Sequence, residues 1–295
     1  MIRIIPLLLL ILFHTSYGIS ANSDEALTAD CEFQKVSKVI DGDTLSLHNG
    51  SKVRLIGIDT PETVDPRKDV QWFGIEASKK LREWVKGETV CLKRGGNDDI
   101  DKYDRLLRYV WIHDGEFFVN AELIKQGYAF AYTRFPFRYL EEFRGFEKKA
   151  KQRNLGLWDE RKLRLWQETV EKNSALAKTC GNADTICSED ALSHTGEKKT
   201  VRFFVKKSFD SGKAVFLNSE NDFKMPHNFT AVIFSRNRGR FPDSPDDHYW
   251  GRTVDVTGVI KEYKGRAEMI LKKVDQIRVV SPQTYTDFEH RERTE

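Results

Sequence analysis

The 295-residue chain lacks a large excess of either charge: 48 Lys and Arg face 45 Asp and Glu, a formal net of +3. Overall charge therefore does not by itself argue for a polyanionic partner. Beyond the first stretch there is no apolar run long enough to cross a bilayer, which needs about 20 residues. No internal repeat is visible at the level of residues, which argues against a solenoid or propeller. The composition, 39% hydrophobic and 32% charged, is that of an ordinary globular protein and excludes gross disorder.

The one apolar run, Ile4 to Phe13, follows Arg3 and is broken only by Pro6, and Ser16-Tyr17-Gly18 supplies small residues behind it. Residues 1–20 are therefore expected to be a signal peptide, with a secreted or periplasmic product; the alternative is anchoring by an uncleaved signal. No cysteine directly follows the run, which disfavours a lipoprotein. In an oxidising compartment the four cysteines default to pairing. Cys180 and Cys187 enclose a short polar loop, leaving Cys31 and Cys91 as a second pair. Cys180, Cys187 and His194 as zinc ligands is the competing reading, at spacings wider than usual and without an obvious fourth ligand.

The length suggests two domains. Strand patterns run from Phe33 to Ile40, Thr44 to Leu47 and Val53 to Ile58, with Asn49-Gly50 as a hairpin turn. Ala77, Leu81, Trp84 and Val85 recur at helical spacing. Strands follow at Val90-Cys91-Leu92 and Leu106 to Trp111. Asn120 caps a short helix ending at Gly127, and Leu140, Phe143, Phe146 and Ala150 mark another. This order fits an α+β domain at 31–160, a small five-stranded barrel of the OB type with helices packed on it. If so, Cys31 lies just before its first strand and Cys91 in its fourth, and those strands are neighbours. Residues 161–197 read as a helical and polar linker.

From residue 198 to 281 the pattern is strands only, with Val201, Phe203 and Val205 alternating, and suits a second OB-like barrel before a tail at 282–295. Charge is uneven along the chain. From Lys198 to Val280 there are 17 Lys and Arg against 10 Asp and Glu; from Cys31 to Trp158 there are 23 against 20. Basic and aromatic residues interleave in the second domain, at Arg236, Arg238, Arg240 and Phe241, at Tyr249, Trp250 and Arg252, and at Tyr263 and Arg266. That mixture suits stacked bases and a tracked phosphate backbone.

One stretch concentrates the chemistry: Ile40-Asp41-Gly42-Asp43-Thr44 followed by Val53-Arg54-Leu55-Ile56-Gly57-Ile58-Asp59-Thr60-Pro61-Glu62-Thr63. Asp43 and Asp59 sit at ends of strands joined by a hairpin, and hard anionic oxygens of this kind suit a calcium ion. Glu62 follows on a turn stiffened by Pro61. Arg54 precedes Asp59 in its strand, and Asp101-Lys102-Tyr103-Asp104-Arg105 adds a second arginine.

These residues resemble the staphylococcal nuclease (thermonuclease) family, and the likeness continues through Gly74 to Ser78, Val119 to Leu123, Gln126-Gly127 and Leu157-Trp158. The resemblance implies that Asp43, Asp59 and the Thr60 carbonyl bind Ca2+, and that Glu62 is the general base or positions the attacking water. It implies that Arg54 and Arg105 bind the phosphate and that Lys102, Tyr103 and Tyr132 line the nucleotide site. It further implies hydrolysis of DNA and/or RNA to 3′-phosphate ends by a monomer with no membrane partner after signal removal. Asp104 departs from the pattern, since the family usually has Gly there. A non-catalytic nucleic-acid-binding protein on a nuclease-like scaffold is the alternative; the presence of Asp43, Arg54, Asp59, Glu62 and Arg105 weighs against it.

Overall fold

A computed structural model describes residues 31–63, 65, 71–95, 98–181 and 185–281. The expected signal peptide at 1–20 and the tail at 282–295 lie outside the described residues. No helix among the described residues is long and apolar enough to cross a membrane.

The first domain is built on β1 (Glu32–Asp41), β2 (Thr44–Leu47), β3 (Lys52–Leu55), β5 (Thr89–Arg94) and β6 (Arg105–Ile112), with the two-residue strand β4 (Ile58–Asp59) between β3 and β5. β1 pairs antiparallel with β2 and β5, β2 with β3, and β5 with β6. The parallel pairing of β3 with β6 closes the circuit into a five-stranded barrel. Alternate residues fill it, among them Val36, Leu45, Leu47, Val53, Leu55, Val90, Leu92 and Val110. Each such side chain contributes about 1.5–3 kcal/mol on leaving water. Helices α1 (Gly74–Val85), α2 (Val119–Lys125) and α3 (Leu140–Gln152) cover the barrel through Leu81, Val85, Leu123, Ile124 and Phe143. The short strand β7 (Phe117–Phe118) leads into α2, and β8 (Phe130–Ala131) follows it. The barrel with packed helices is the expected α+β architecture.

Two local expectations change. Val53 to Ile58 is not one strand: the chain turns at Ile56-Gly57 and re-forms as β4, which pairs with β8. Gly57 makes this turn with φ +76°, and a β-carbon there would lie 2.6 Å from the Phe137 ring. Asn120 is not the cap of α2 but a fully buried residue in its first turn. Its Oδ1 accepts the Val110 N–H at 2.9 Å and its Nδ2 donates to the Ile56 carbonyl at 2.9 Å. A buried amide is stable only with such partners, and here it ties the helix to β6 and to the turn that precedes β4.

Cys31 is joined to Cys91, and Cys180 to Cys187. The second bridge occupies both sulfurs that the zinc alternative required.

Segment 161–197 is not free-standing. Asp159 caps α4 (Glu160–Ala177), accepting the Lys162 N–H at 3.0 Å. Asn173 of α4 is 1% exposed and donates to the Gly251 carbonyl at 2.9 Å, while the Thr253 hydroxyl donates to the Asn173 carbonyl. β9 (Thr185–Cys187) then pairs in parallel with β10 (Lys198–Phe204). The polar composition concealed this strand, because Ile186 is its one buried residue.

The second domain continues with β11 (Lys207–Asp210), β12 (Ala214–Asn218), β13 (Phe229–Phe234), α5 (Pro245–Tyr249), β14 (Thr253–Val259), β15 (Lys261–Tyr263), β16 (Arg266–Leu271) and β17 (Ile277–Val279). Its strands form two sheets, β9-β10-β14-β17 and β11-β12-β13-β16-β15. Val205-Lys206 and Ile260 carry the chain from one sheet to the other. Pairing within the two sheets is antiparallel except for β9 with β10 and β13 with β16. Val201, Phe203 and Val205 are buried, as their alternation required. The basic and aromatic set divides. Phe241 and Tyr249 are core, Arg238 is paired with Asp210 at 2.6 Å, and Arg240 donates to the Lys272 carbonyl. Tyr263 remains exposed. Asn228, of the sequon-like Asn228-Phe229-Thr230, is 1% exposed and hydrogen-bonded to Thr230.

The domains touch directly. Arg82 Nη1 of α1 lies 2.7 Å from Asp247 Oδ2 of α5, and Trp72 packs on Trp166 of α4 at 5.7 Å. Across the smaller sheet, Asp255 stands between Arg202 and Arg278 in register. It accepts Arg202 Nε at 2.7 Å, Arg202 Nη2 at 2.9 Å and Arg278 Nη2 at 2.9 Å. Burial by itself raises the Asp255 carboxyl, but these hydrogen bonds and charges outweigh it and hold the group below the usual carboxylate range. Its stabilisation is therefore present above the ordinary carboxylate value and lost as pH falls. Asp255→Ala is expected to cost about 3 kcal/mol at about pH 7, and distinctly less at about pH 3. Denaturant unfolding at both pH values measures this, and an equal loss at both would assign the effect to packing rather than charge.

Candidate active site

The β1–β2 turn places Asp43 under the segment that leaves β4. Gly42 allows the approach: a β-carbon there would lie 2.8 Å from Thr60 Oγ1. Asp43 is 6% exposed. Its Oδ2 accepts the Thr60 N–H at 3.2 Å and the Thr60 hydroxyl at 3.1 Å, and its Oδ1 accepts the Thr44 hydroxyl at 2.8 Å. Arg54, from the paired strand β3, points Nη2 at both Asp43 Oδ2 and Asp59 Oδ1, 3.1 Å from each. The two carboxylates read from the sequence thus converge on one guanidinium nitrogen.

Glu62 lies on the loop between β4 and α1. Its backbone N–H donates to Gln71 Oε1 at 2.9 Å, its carbonyl accepts the Gln71 N–H at 3.0 Å, and its Oε1 accepts the Asp65 N–H at 2.8 Å. Arg105, at the start of β6, is held by Asp101, with Nε at 2.8 Å and Nη2 at 2.7 Å from Oδ2. Burial acts to raise the Asp101 carboxyl, yet the Arg105 and Tyr103 hydrogen bonds and the Arg105 charge leave it lowered. Arg105 Nη1 also donates to Thr44 Oγ1 at 3.3 Å. Thr44 therefore connects Arg105 to Asp43, accepting from one and donating to the other.

The remaining expected residues flank this mouth. Tyr103 is 64% exposed, with Arg105 over its ring at 5.4 Å and Lys102 at 5.0 Å. On the Asp59 side, β4 pairs with β8, and Tyr132 just beyond β8 donates its N–H to the Gly57 carbonyl at 2.9 Å. Asp104 is exposed and holds φ +58°, left-handed backbone that costs an ordinary residue about 1–2 kcal/mol. That geometry explains why a glycine suits the position.

Sequence reasoning missed Asp41, Thr44 and Arg134. Asp41 is buried and accepts from Gly42 N–H, the Thr63 hydroxyl and the Ser78 hydroxyl. Burial and then the Asp43 charge push its carboxyl up to about 6, against the pull of those hydrogen bonds. Its place two residues before Asp43 was the available signal. Burial likewise raises Asp59, which Arg54 pulls down and Asp43 pushes up, with Arg134 adding a weaker downward pull. Asp41, Asp43, Asp59 and Glu62 thus act on one another electrostatically, opposed by Arg54 and Arg134.

Such crowded hard-oxygen donors fit a divalent cation of the Ca2+ or Mg2+ kind. Among the described residues, no three His, Cys, Asp or Glu side chains converge as a ready-made metal cluster. The donor set that fits is therefore two carboxylates, completed by backbone carbonyl and water.

The same segment matches a family model described as staphylococcal nuclease homologue, over residues 52–160. The chain is 41% identical to endonuclease YncB of Bacillus subtilis over 128 residues, 42% of this chain and 60% of that protein. It is 37% identical to thermonuclease of Staphylococcus hyicus, over 42% of this chain and 74% of that protein. It is 31% identical to the uncharacterized protein MJ1439 of Methanocaldococcus jannaschii over 169 residues, 81% of that protein. With this barrel, this arrangement of Asp43, Arg54, Asp59, Glu62 and Arg105, and relatives matched over most of their length, the chain belongs to the staphylococcal nuclease family.

Proposed function

We propose that the protein is an exported, calcium-dependent nuclease that hydrolyses the phosphodiester bonds of DNA and/or RNA and leaves 3′-phosphate ends. The observation that carries this reading is the meeting of Asp43 and Asp59 on Arg54 beside a loop that holds Glu62, with Arg105 linked to Asp43 through Thr44. Export is supported by the two disulfides, which persist in oxidising compartments. The second domain we read as an OB-like barrel, supported by two sheets that share strands across Val205-Lys206 and Ile260 and enclose one hydrophobic core.

Asp43, Asp59 and the Thr60 carbonyl would hold the cation, which when bound supplies positive charge against the phosphate. Glu62 accepts the proton of the attacking water. Oxygen then bonds to phosphorus as the bond to the 5′ oxygen breaks, and that oxygen takes a proton from solvent to leave as a 5′ hydroxyl. Arg54 and Arg105, from neighbouring strands at one end of the barrel, bring guanidinium charge to the non-bridging oxygens, where charge builds in the transition state. Tyr103 and Tyr132 offer apolar faces to the flanking nucleotide. Asp101 holds Arg105 in place, so this fork is ordered before substrate arrives.

Activity gels containing DNA or RNA, run with calcium and then with chelator, test the reading directly; a band of equal strength in chelator would overturn the calcium assignment. Asp43→Ala and Asp59→Ala are expected to abolish cleavage with the fold retained. Arg54→Lys and Arg105→Lys are expected to lose about a hundredfold or more in turnover, because Lys cannot supply the fork. Parent-like rates in both arginine variants would make those residues structural.

Asp104→Gly relieves left-handed backbone and removes an exposed carboxylate next to Arg105. It is expected to gain about 0.5–1 kcal/mol in stability, read by thermal unfolding. Its KM for nucleic acid is expected to fall at low salt, with the gain fading as salt screens the charge. A salt-independent KM would place the Asp104 charge outside the substrate's field.

A further inference from the structure

The outer face of the second domain's larger sheet carries a feature that catalysis does not use. Val215 and Leu217 of β12, Ala231 and Ile233 of β13, and Met269 of β16 point into the core. Strand alternation therefore turns Phe216, Thr230 and Glu268 outward. Phe209 of β11 lies opposite Phe216 in register, and Thr230 lies opposite both Asn218 and Glu268. Phe223 approaches from the β12–β13 loop and Tyr263 from the hairpin that joins β15 to β16. Together these rings line an open cleft of about 940 Å³.

Phe209, Phe223 and Tyr263 are 49%, 48% and 56% exposed. Three large rings left in water on one face, around a cleft, mark a binding surface rather than a core defect. The floor between them is polar and ordered: Thr230 donates to Asn218 Oδ1 at 2.9 Å and accepts from Asn228 Nδ2 at 2.9 Å. The walls are cationic, with Lys224, Lys264 and Arg266 against the single lining carboxylate Glu268, while Lys207 is buried at the edge with its ammonium engaged elsewhere. Lys224 and Lys264 sit over Phe223 and Tyr263 at 5.9 and 5.3 Å.

Rings interleaved with cations select the occupant. An apolar peptide makes no use of the three open cations. A duplex hides its base faces from the rings. An unpaired strand offers both a base face for each ring and a phosphate for each cation.

The cleft also abuts the candidate active site. Lys207, on its wall, donates Nζ to the Asp65 carbonyl at 3.1 Å, and the Asp65 N–H donates to Glu62 Oε1 at 2.8 Å. One residue separates the cleft wall from the loop that holds the general base.

We infer that this cleft binds single-stranded nucleic acid, stacking unpaired bases on Phe209, Phe216, Phe223 and Tyr263, and feeds that strand to the catalytic mouth. The feeding step rests on the nuclease reading; the binding step does not. The site lies apart from the Arg236 to Arg240 segment, whose Arg238 is already engaged by Asp210.

The test is fluorescence anisotropy in chelator, where no cutting occurs, using the full chain and labelled oligothymidylates of about 16 and about 4 nucleotides, which bracket the span of one such domain. The parent is expected to bind the longer strand more tightly than the shorter one and more tightly than a duplex of equal length. The Phe209→Ala/Tyr263→Ala variant removes two exposed rings, and circular dichroism checks that it folds. It is expected to lose the length preference by about tenfold or more. Lys264→Gln is expected to flatten the salt dependence of binding. Undiminished length preference in the ring variant, or duplex bound as tightly as single strand, overturns the inference. A parent that binds the longer strand in chelator but fails to cut it in calcium overturns the nuclease reading and leaves the cleft standing. A parent that cuts, but whose ring variant binds unchanged, overturns the cleft alone.

Discussion

The parallel pairing of β3 with β6 is the constraint on which the catalytic domain depends. Without it the antiparallel meander has two open edges and no enclosed core. With it, the register Lys52↔Arg105 and Arg54↔Leu107 is fixed. That register brings Arg105 to the same end of the barrel as Arg54, and the β2–β3 pair Thr44↔Arg54 adds Thr44 and Asp43 to it. Covalent order separates Asp43 from Arg105 by 62 positions, yet a single threonine hydroxyl spans them in space. A local motif cannot produce such a site. The closed barrel does, because closure is long-range and admits one register in which the hydrophobic faces of all five strands point inward.

The second consequence of closure is electrostatic. Asp41, Asp43, Asp59 and Glu62 are gathered within reach of one another's charge, and the carboxyls of buried Asp41 and of half-exposed Asp59 rise. Folding tolerates this repulsion because Arg54 bridges two of the carboxylates and because Thr44, Thr60, Thr63 and Ser78 donate hydrogen bonds into the cluster. Threonine and serine hydroxyls stabilise carboxylates without cancelling their charge. The mouth therefore stays negative enough to attract a cation and lies beside two arginines that attract a phosphate. Opposed demands of this kind are met by preorganised dipoles more readily than by water, which would have to reorient during reaction.

Much of this was legible in the sequence because the informative residues are close along the chain. Asp43, Arg54, Asp59 and Glu62 fall within 20 positions, and strand alternation locates them at an end of a hairpin. Residues whose role depends on distant contacts were not legible. Asn120 has the composition of a helix cap, but its partners, Val110 and Ile56, belong to other elements. Ile186 makes a strand only because β10 lies alongside it. In the second domain, Phe209 and Phe241 look alike in sequence. One is exposed on β11 beside the cleft, and the other is core, packed in from the loop that precedes α5. The turn at Ile56-Gly57 was hidden because hydrophobic residues continue through it without a polar break.

The two domains are equipped differently. In the first domain the barrel end carries carboxylates and arginines, a set suited to a cation and a phosphate group. In the second, the outer sheet face carries rings and cations, which suit the unpaired base and the backbone charge. Neither set duplicates the other's chemistry, and no carboxylate–arginine cluster of the first kind recurs among the described residues of the second domain. The domains are also not joined by a passive tether: α4 is anchored by Asn173 and Thr253, Arg82 meets Asp247, and Lys207 meets the loop of Glu62. A hydrogen bond from the second domain to that loop restricts how far Glu62 can drift from the mouth. The second domain therefore stands to influence cleavage in two separable ways, through strand affinity at the rings and through loop order at Lys207. An effect on affinity appears in KM for long strands alone, whereas an effect on loop order appears in turnover for every substrate length.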